Sequence, residues 1–251
     1  MRFHFLSSKA EAAQEAMQML AERYGQHPLS ESDVVVSIGG DGQLLDCLGD
    51  VGGKKPVFGL NRGTIGFLLN EYRTHGLVER VRSARKVVIH PLAMKAECLD
   101  GSVHNALAFN EVALFRETSQ AAHLEIDVDQ VRRMDRLICD GVLLSTPAGS
   151  TAYNLSAHGP IIPLRSRLMG LTPISAFRPR RWRGALLPDG AQVRFHVLDP
   201  EKRRVAATAD SSEFRDCFSV TVAMDFSRSY HLLFDADQAL EERILQEQFA
   251  G

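Results

Sequence analysis

The chain has no run of about 18 apolar residues, the least a membrane-spanning helix needs, so no membrane is expected among its partners. Its start lacks the apolar stretch of an export signal: Phe3, Phe5 and Leu6 are interrupted by His4 and followed at once by Ser7, Ser8 and Lys9. Cysteine is scarce and scattered. The four, Cys47, Cys98, Cys139 and Cys217, form no CxxC pair and have no histidine at ligand spacing, which argues against a zinc site or a disulfide framework. Free thiols in a reducing cytoplasm are the expectation. An excess of one charge is missing as well, since 29 Lys and Arg face 31 Asp and Glu for a net charge of -2. That balance gives no general attraction to nucleic acid or to anionic membranes. Internal repeats, low-complexity tracts and Ser/Gly linkers are also absent. What is left is ordinary globular composition, 251 residues of which 45% are hydrophobic and 24% charged, enough for one large domain or two modest ones.

Two domains are the expectation, because the pattern changes along the chain. RFHFL reads as a strand, Ser8 with Glu11 makes a capping-box pattern ahead of an apolar stripe at Ala13, Met17, Leu20 and Tyr24, and Gly25 closes that helix. Residues 34–38, VVVSI, read as a strand covered on both faces in a parallel sheet, and residues 54–60 supply another. This is the rhythm of a nucleotide-binding α/β layer. From about Lys86 the texture shifts to short alternating segments at 104–116, 123–128, 191–198 and 218–222, punctuated by Gly, Pro and Asp as in an all-β domain. Near the end, Asp235 and Gln238 are placed to cap a last helix with Leu240, Ile244 and Leu245 on one side, returning to the first domain. The expected division is an α/β domain over 1–88, completed by 228–251, and a β-rich domain over 89–227.

The strand at 34–38 runs straight into Gly39, Gly40, Asp41 and Gly42 and then into the helical QLLDCL. That sets a glycine-rich turn at the carboxyl end of a parallel strand, the edge where α/β sheets bind ligands. Glycines let backbone amides approach phosphate oxygens, and the first turn of the next helix adds unpaired amides. Asp41 sits wrongly for a plain phosphate cradle. A carboxylate there repels phosphate unless it holds a magnesium ion or accepts a proton from a hydroxyl, and both tasks belong to phosphoryl transfer. Capping of the following helix is the plainer alternative for Asp41. A second glycine-rich turn, residues 61–67, follows PVFGL at the same edge, where Asn61 and Arg62 can orient phosphates and Phe67 can wall a pocket; a tight turn with a core Phe fits the spacing equally well.

Asn110 and Glu111 interrupt the apolar LAFNEVALF, and a strand does not bury an amide and a carboxylate without partners. The oxygens of Glu111 match the paired hydroxyls of a ribose, and the amide of Asn110 matches a donor and acceptor on a base or nicotinamide; solvation of an edge strand is the alternative. The richest segment is 140–163, DGVLLSTPAGSTAYNLSAHGPIIP, whose small hydroxyl residues are denser than a turn requires. Hydroxyls, exposed amides and the ring and hydroxyl of Tyr153 suit a polar ligand, and Asp140 is placed to accept from another ligand hydroxyl or amine. Ser150 lies in no GxSxG elbow and has no histidine partner, which argues against a hydrolase nucleophile, and His158 reads as structural. Arg178, Arg180, Arg181 and Arg183 around Trp182 read as a solvated loop or a subunit contact rather than a nucleic-acid patch. Asp210, after VAATA, is either a turn residue or a late contributor to the site.

Taken in order, these pieces resemble the NAD kinase family. Its GGDG appears at 39–42, its N-x-G-x-x-G-F at 61–67 and its NE pair at Asn110 and Glu111. Its longest signature, DG followed by STP-x-GSTAY and S-x-x-GP, appears at Asp140, Gly141, 145–153, Ser156, Gly159 and Pro160. The resemblance implies an α/β plus β architecture: a Rossmann-like α/β N-terminal domain and a β-sandwich-like C-terminal domain, with the last helix returning to the first. It implies an enzyme, a phosphotransferase with an alcohol acceptor that moves the γ-phosphoryl group of ATP, with Mg2+, to the 2'-hydroxyl of the adenosine ribose of NAD to make NADP. On that resemblance Asp41 is the proton acceptor, and Gly39, Gly40, Gly42, Asn61 and Arg62 bind phosphate. The NAD site is lined by Asp41, Gly42, Phe67, Asn110, Glu111, Asp140, Ala148, Thr151, Ala152, Tyr153, Asn154, Leu155, Ser156 and Asp210, and no metal ligand is assigned. The implied partners are NAD and ATP, without nucleic acid or membrane, in a cytoplasmic homodimer or homotetramer. The chain departs from the common family pattern at Gln43, Ala148 and His158. Two alternatives share parts of the pattern: a lipid kinase of the diacylglycerol or sphingoid-base type, and a non-catalytic NAD-binding module that has no need of Asp41.

Overall fold

Apolar strands with few covering helices build most of the chain, and a computed structural model, which describes residues 1–63 and 66–237, divides it into two compact units. Met1–Ile89 and the strand after Arg228 make one unit, and His90–Ser227 the other.

The first unit is built on a six-stranded sheet in the order Phe3–Ser7, Val34–Gly39, Val57–Asn61, Tyr230–Phe234, Arg85–Ile89, with the short Asn70–Glu71 also paired to Val57–Asn61. All its pairings are parallel except the last, between Tyr230–Phe234 and Arg85–Ile89. Val34–Gly39 is buried at every position, as a β-branched run between covering layers should be. The helix Glu11–Tyr24 sets Ala13, Ala16 and Leu20 into the same core as Phe3 and Phe5, and Gly25 at φ 80° ends it. The expected capping box does not form. The residue flanking this helix is Ala10, because Ser8 is still tied to the sheet, its amide donating to the Ile38 carbonyl at 3.0 Å. The strand expected from residue 54 starts at Val57, since left-handed Gly52 ends the preceding helix and the Lys54 amide turns back to the Val51 carbonyl. Tyr230–Phe234 is locked by polar groups. Asn70 donates to the carbonyls of Gly59 (3.0 Å) and Leu233 (2.9 Å) and accepts from the Asp235 amide (2.8 Å), while Arg80 grips the Asp235 carboxylate at 2.9 and 2.6 Å. The expected last helix, with Gln238, Leu240, Ile244 and Leu245, lies outside the described residues.

The second unit has two six-stranded antiparallel sheets. One runs in the order Val131–Cys139, Ala122–Val128, Gln192–Val197, Cys217–Met224, Leu92–Cys98, Val103–Ala108. The other runs Ala185–Pro188, Leu168–Ile174, Gly141–Ser145, Glu111–Arg116, Val205–Ala209, Ser212–Phe214. A single buried core joins them, with Leu124, Phe195 and Val220 from the first and Val112, Leu114 and Val142 from the second. The segment 104–116 is therefore not one strand. Val103–Ala108 belongs to the first sheet and Glu111–Arg116 to the second, and Phe109 and Asn110 carry the chain across. All four cysteines are free and buried, and Cys98 and Cys217, opposite each other on paired strands, have their sulfurs 3.3 Å apart. Among the described residues no helix is long and apolar enough to cross a membrane.

Candidate active site

In the first unit, Gly39 lies opposite Asn61 on adjacent parallel strands, so both glycine-rich turns leave one edge of the sheet. The Arg62 amide donates to the Gly39 carbonyl at 2.9 Å, and the Asn61 side chain closes an Asx turn by accepting the Gly63 amide at 2.9 Å. A Cβ on Gly63 would lie 3.3 Å from the Gly40 Cα, so the two turns touch through their backbones. A Cβ on Gly40 or Gly42 would meet nothing within 4 Å, which leaves open space beside them. Asp41 is the first residue of the helix Asp41–Val51, yet it does not cap that helix. Its Oδ2 accepts the Phe67 amide at 2.9 Å and its Oδ1 the Leu68 amide at 3.2 Å, binding the second turn to the first. Arg62 is held by the protein, with Nε on the Ala12 carbonyl at 3.3 Å and the guanidinium 4.7 Å over the Tyr72 ring.

In the second unit, register brings three sequence-distant segments to one sheet end. Glu111 lies opposite Ser145, and Val112 lies opposite Ala209, so the Asn110–Glu111 pair, the start of the 145–153 loop and Asp210 meet. The Asn110 carbonyl accepts the Thr146 amide at 2.9 Å and the Phe109 carbonyl accepts the Thr146 hydroxyl at 2.6 Å. Gly149 presses so close that a Cβ would stand 2.2 Å from the Asn110 carbonyl oxygen. Asp210, at φ 48° in the turn between paired Ala209 and Ser212, aims its carboxylate at the same segment. It accepts the amides of Phe109 (2.6 Å), Asn110 (3.0 Å) and Glu111 (3.3 Å). Glu111 is left unsatisfied at this sheet end: its Oε2 is buried without a hydrogen-bond partner. Burial, with the neighbouring Asp210 charge adding to it, pushes the Glu111 carboxyl up to about 7.

The hydroxyl-rich loop is less a ligand surface than its composition implied. Ser145, Thr146 and Ser150 are buried. Ser150 Oγ donates to the carbonyls of Pro147 (2.7 Å) and Ile162 (3.2 Å) and accepts the Ile162 amide at 2.9 Å, latching the loop shut. Asn154 is equally structural, donating to the Ser150 and Pro160 carbonyls at 3.1 and 2.9 Å and accepting the Thr172 hydroxyl at 2.7 Å. Ala148 is buried too, whereas Thr151, Ala152, Leu155 and especially Tyr153 and Ser156 reach the surface. The Tyr153 ring rests against Phe115 with centroids 5.7 Å apart, on the strand face opposite the core, where Glu111 also points by alternation. Its hydroxyl is pushed up by burial and then by the charges of Glu111 and Asp140. Asp140, at the far end of the Gly141–Ser145 strand, is paired to Arg116 at 2.5 Å. Beside this face Tyr153, Ser156, His158, Arg180, Trp182 and Arg183 line a groove of about 440 Å³. Among the described residues no carboxylate comes within ion-pair distance of Arg180 or Arg183. His158 is exposed at φ 61°, and Trp182 packs against the core edge, so the arginine cluster is anchored rather than loose.

The structure gives Thr146 a backbone-holding role and adds Arg116, which sequence reasoning passed over. Thr146 was hidden within a motif read as ligand-facing, and Arg116 offered only a basic residue at a strand end.

A glycine-rich turn at the carboxyl edge of a mainly parallel sheet, with a carboxylate in the turn, defines a nucleotide-binding α/β unit, here continuous with a β-rich one. The ATP-NAD kinase C-terminal domain family matches residues 109–231. The NAD kinase of Caulobacter vibrioides is 53% identical over 251 residues, covering 100% of this chain and 96% of that protein. The NAD kinase of Hyphomonas neptunium is 51% identical, covering 100% and 98%. The chain belongs to the NAD kinase family. Two solved structures share the fold: a yeast NADH kinase complexed with NADH (TM-score 0.84, 21% identity, 99% of this chain and 87% of that one) and an NAD kinase from Archaeoglobus fulgidus in complex with ATP (0.77, 21%, 98% and 98%).

Proposed function

We propose that the chain transfers the γ-phosphoryl group of ATP to the 2'-hydroxyl of the adenosine ribose of NAD, giving NADP. The observation that carries this reading is the unpartnered, buried Oε2 of Glu111, held at a sheet end by a clamped backbone. A buried acceptor without a donor awaits one, and a ribose hydroxyl supplies it. The relatives carry the NAD kinase name over nearly their whole length, which leaves the lipid-kinase and non-catalytic alternatives without support.

In this reading Glu111 and Asn110 orient NAD, Tyr153 and Ser156 flank it, and Arg180 and Arg183 offer charge to its phosphates. Gly39, Gly40 and Gly42 present amides to ATP. Asp41 accepts the 2'-hydroxyl proton as the oxygen attacks phosphorus. Asn154 and Ser150 contribute by holding the loop, and Asp140 through its pair with Arg116. Among the described residues no three His, Cys, Asp or Glu side chains gather around a point that would hold a metal. The described residues therefore do not form a resident magnesium cage, and magnesium enters with the phosphates of ATP as substrate. We take the first unit as Rossmann-like and the second as β-sandwich-like, in a cytoplasmic homodimer or homotetramer that light scattering would reveal.

The test is purified protein with NAD, MgATP and an enzymatic readout of NADP. No NADP refutes the reading. Excess EDTA should abolish the activity, and full activity in its presence would count against MgATP as the donor. Asp41→Asn should cut turnover by about 10²- to 10⁴-fold, the usual worth of a general base, with NAD binding measured separately by calorimetry. Since Asn offers one acceptor for two amides, loss of binding together with turnover would assign Asp41 to positioning instead.

A further inference from the structure

The Phe109–Asn110 crossing between the two sheets has every main-chain polar group spoken for. Its three successive amides, through Glu111, converge on the Asp210 carboxylate, and the Asp210 amide returns a bond to the Glu111 carbonyl at 3.2 Å. Thr146 takes the carbonyls of Phe109 and Asn110. Convergent amides of this kind form a nest for an anion, and here the anion is built into the chain. The Asp210 carboxylate gathers the three amides of the crossing, two on Oδ1 and one on Oδ2, so what it fixes is the backbone that carries Glu111. What it holds is a segment whose Glu111 side chain keeps a buried oxygen, Oε2, without a hydrogen-bond partner.

We infer that Asp210 is a positioning residue for the reaction, acting on NAD only through the Asn110–Glu111 turn, whose backbone it fixes and whose carboxylate it faces with a like charge. The inference rests on the NAD kinase reading. Among the described residues the groups that face Glu111 are Asp210 from the turn and Tyr153 from the loop; Ser145, opposite it in register, carries no charge, and no basic group adds to its electrostatics. Glu111 consequently changes charge near neutral pH. A ribose hydroxyl donates to the ionised form, so KM for NAD should rise as pH falls below the Glu111 midpoint, approaching tenfold per pH unit. Asp210→Asn removes the facing charge, which lowers the midpoint, and weakens the amide clamp, which raises KM.

The experiment measures KM for NAD and kcat from pH 5.5 to 8.5 in the parent and in Asp210→Asn, alongside a ¹³C NMR titration of the Glu111 carboxyl assigned through Glu111→Gln. The expected result is a break in KM, and a matching NMR midpoint, that move to lower pH by about one unit in Asp210→Asn while kcat stays within about threefold. A clamp that merely supports the fold would raise KM at all pH values and leave the midpoint in place, and that outcome overturns the inference. So does a kcat loss with unchanged KM, which would place Asp210 at the reacting atoms. Should the Asn variant fail to fold, Asp210→Glu keeps the charge and must keep the midpoint within about half a unit of the parent's; a clear fall in the midpoint overturns the inference. If the parent makes no NADP, the functional reading fails by itself, while the NMR midpoints still decide whether Asp210 sets the charge of Glu111.

Discussion

Glu111 is held in a state that suits a ligand better than it suits the folded protein alone. Its carboxyl is raised from 4.5 to about 7, so between those values the folded state keeps a proton that the unfolded chain releases. Stability from this group is therefore full below about pH 4.5 and is lost as pH rises through 7, beyond which the fold carries a buried charge at a cost of about 3 kcal/mol. Glu111→Gln should be more stable than the parent by roughly that amount at pH 8 and no more stable at pH 4.5, as thermal unfolding at the two pH values would show. The same variant should bind NAD about tenfold more weakly at pH 8, because it gives up a charge-assisted hydrogen bond. A residue whose removal stabilises the fold while impairing binding is under functional constraint rather than serving the core. A gain of equal size at both pH values would contradict this account.

The loop 145–156 shows how small residues hold an element in place. Gly149 permits backbone contact with Asn110 that any Cβ would break, so Gly149→Ala should cost on the order of 3 kcal/mol in urea unfolding and should disturb the Asn110–Glu111 turn with it. Ser150→Ala leaves the Ile162 amide without its acceptor and should cost about 1 to 3 kcal/mol while NAD turnover survives in the folded fraction. The positions of these elements were legible in the sequence, but their orientations were not. The glycine-rich turns at strand ends follow from the Val34 to Ile38 run and the glycines after it, because a buried parallel strand and a turn leave local signatures. That Asp210 would reach back some 100 residues to three amides is not local, since only the register of Val205–Ala209 beside Glu111–Arg116 brings them together. The crossing at Phe109 and Asn110 was missed for a related reason. An apolar stretch that changes sheets keeps its hydrophobicity on both sides, so composition alone reads it as continuous.

At the scale of the whole molecule, the second unit is contiguous in sequence and the first is not. Tyr230–Phe234 sits inside the first sheet, between Val57–Asn61 and Arg85–Ile89, and Asn70 and Arg80 fasten its carboxyl end. Ending the chain at Ser227 should thus leave 1–89 protease-sensitive, with Val57–Asn61 and Arg85–Ile89 each short of a partner, while 90–227 keeps a cooperative unfolding transition. Limited proteolysis of the truncated protein distinguishes this from a peripheral strand, whose loss would leave 1–89 protected.

The same strand sets a timetable for the molecule's making. The ribosome releases the five opening strands of the first sheet early, yet the piece that belongs among them emerges only after all 138 residues of His90–Ser227 have been synthesised. At about 5 to 20 residues per second, that is a wait of roughly 7 to 28 s with apolar edges at Val57–Asn61 and Arg85–Ile89 uncovered. The glycine-rich turns are thus encoded first and their sheet completed last, and the nascent chain spends that interval in the form most open to chaperones.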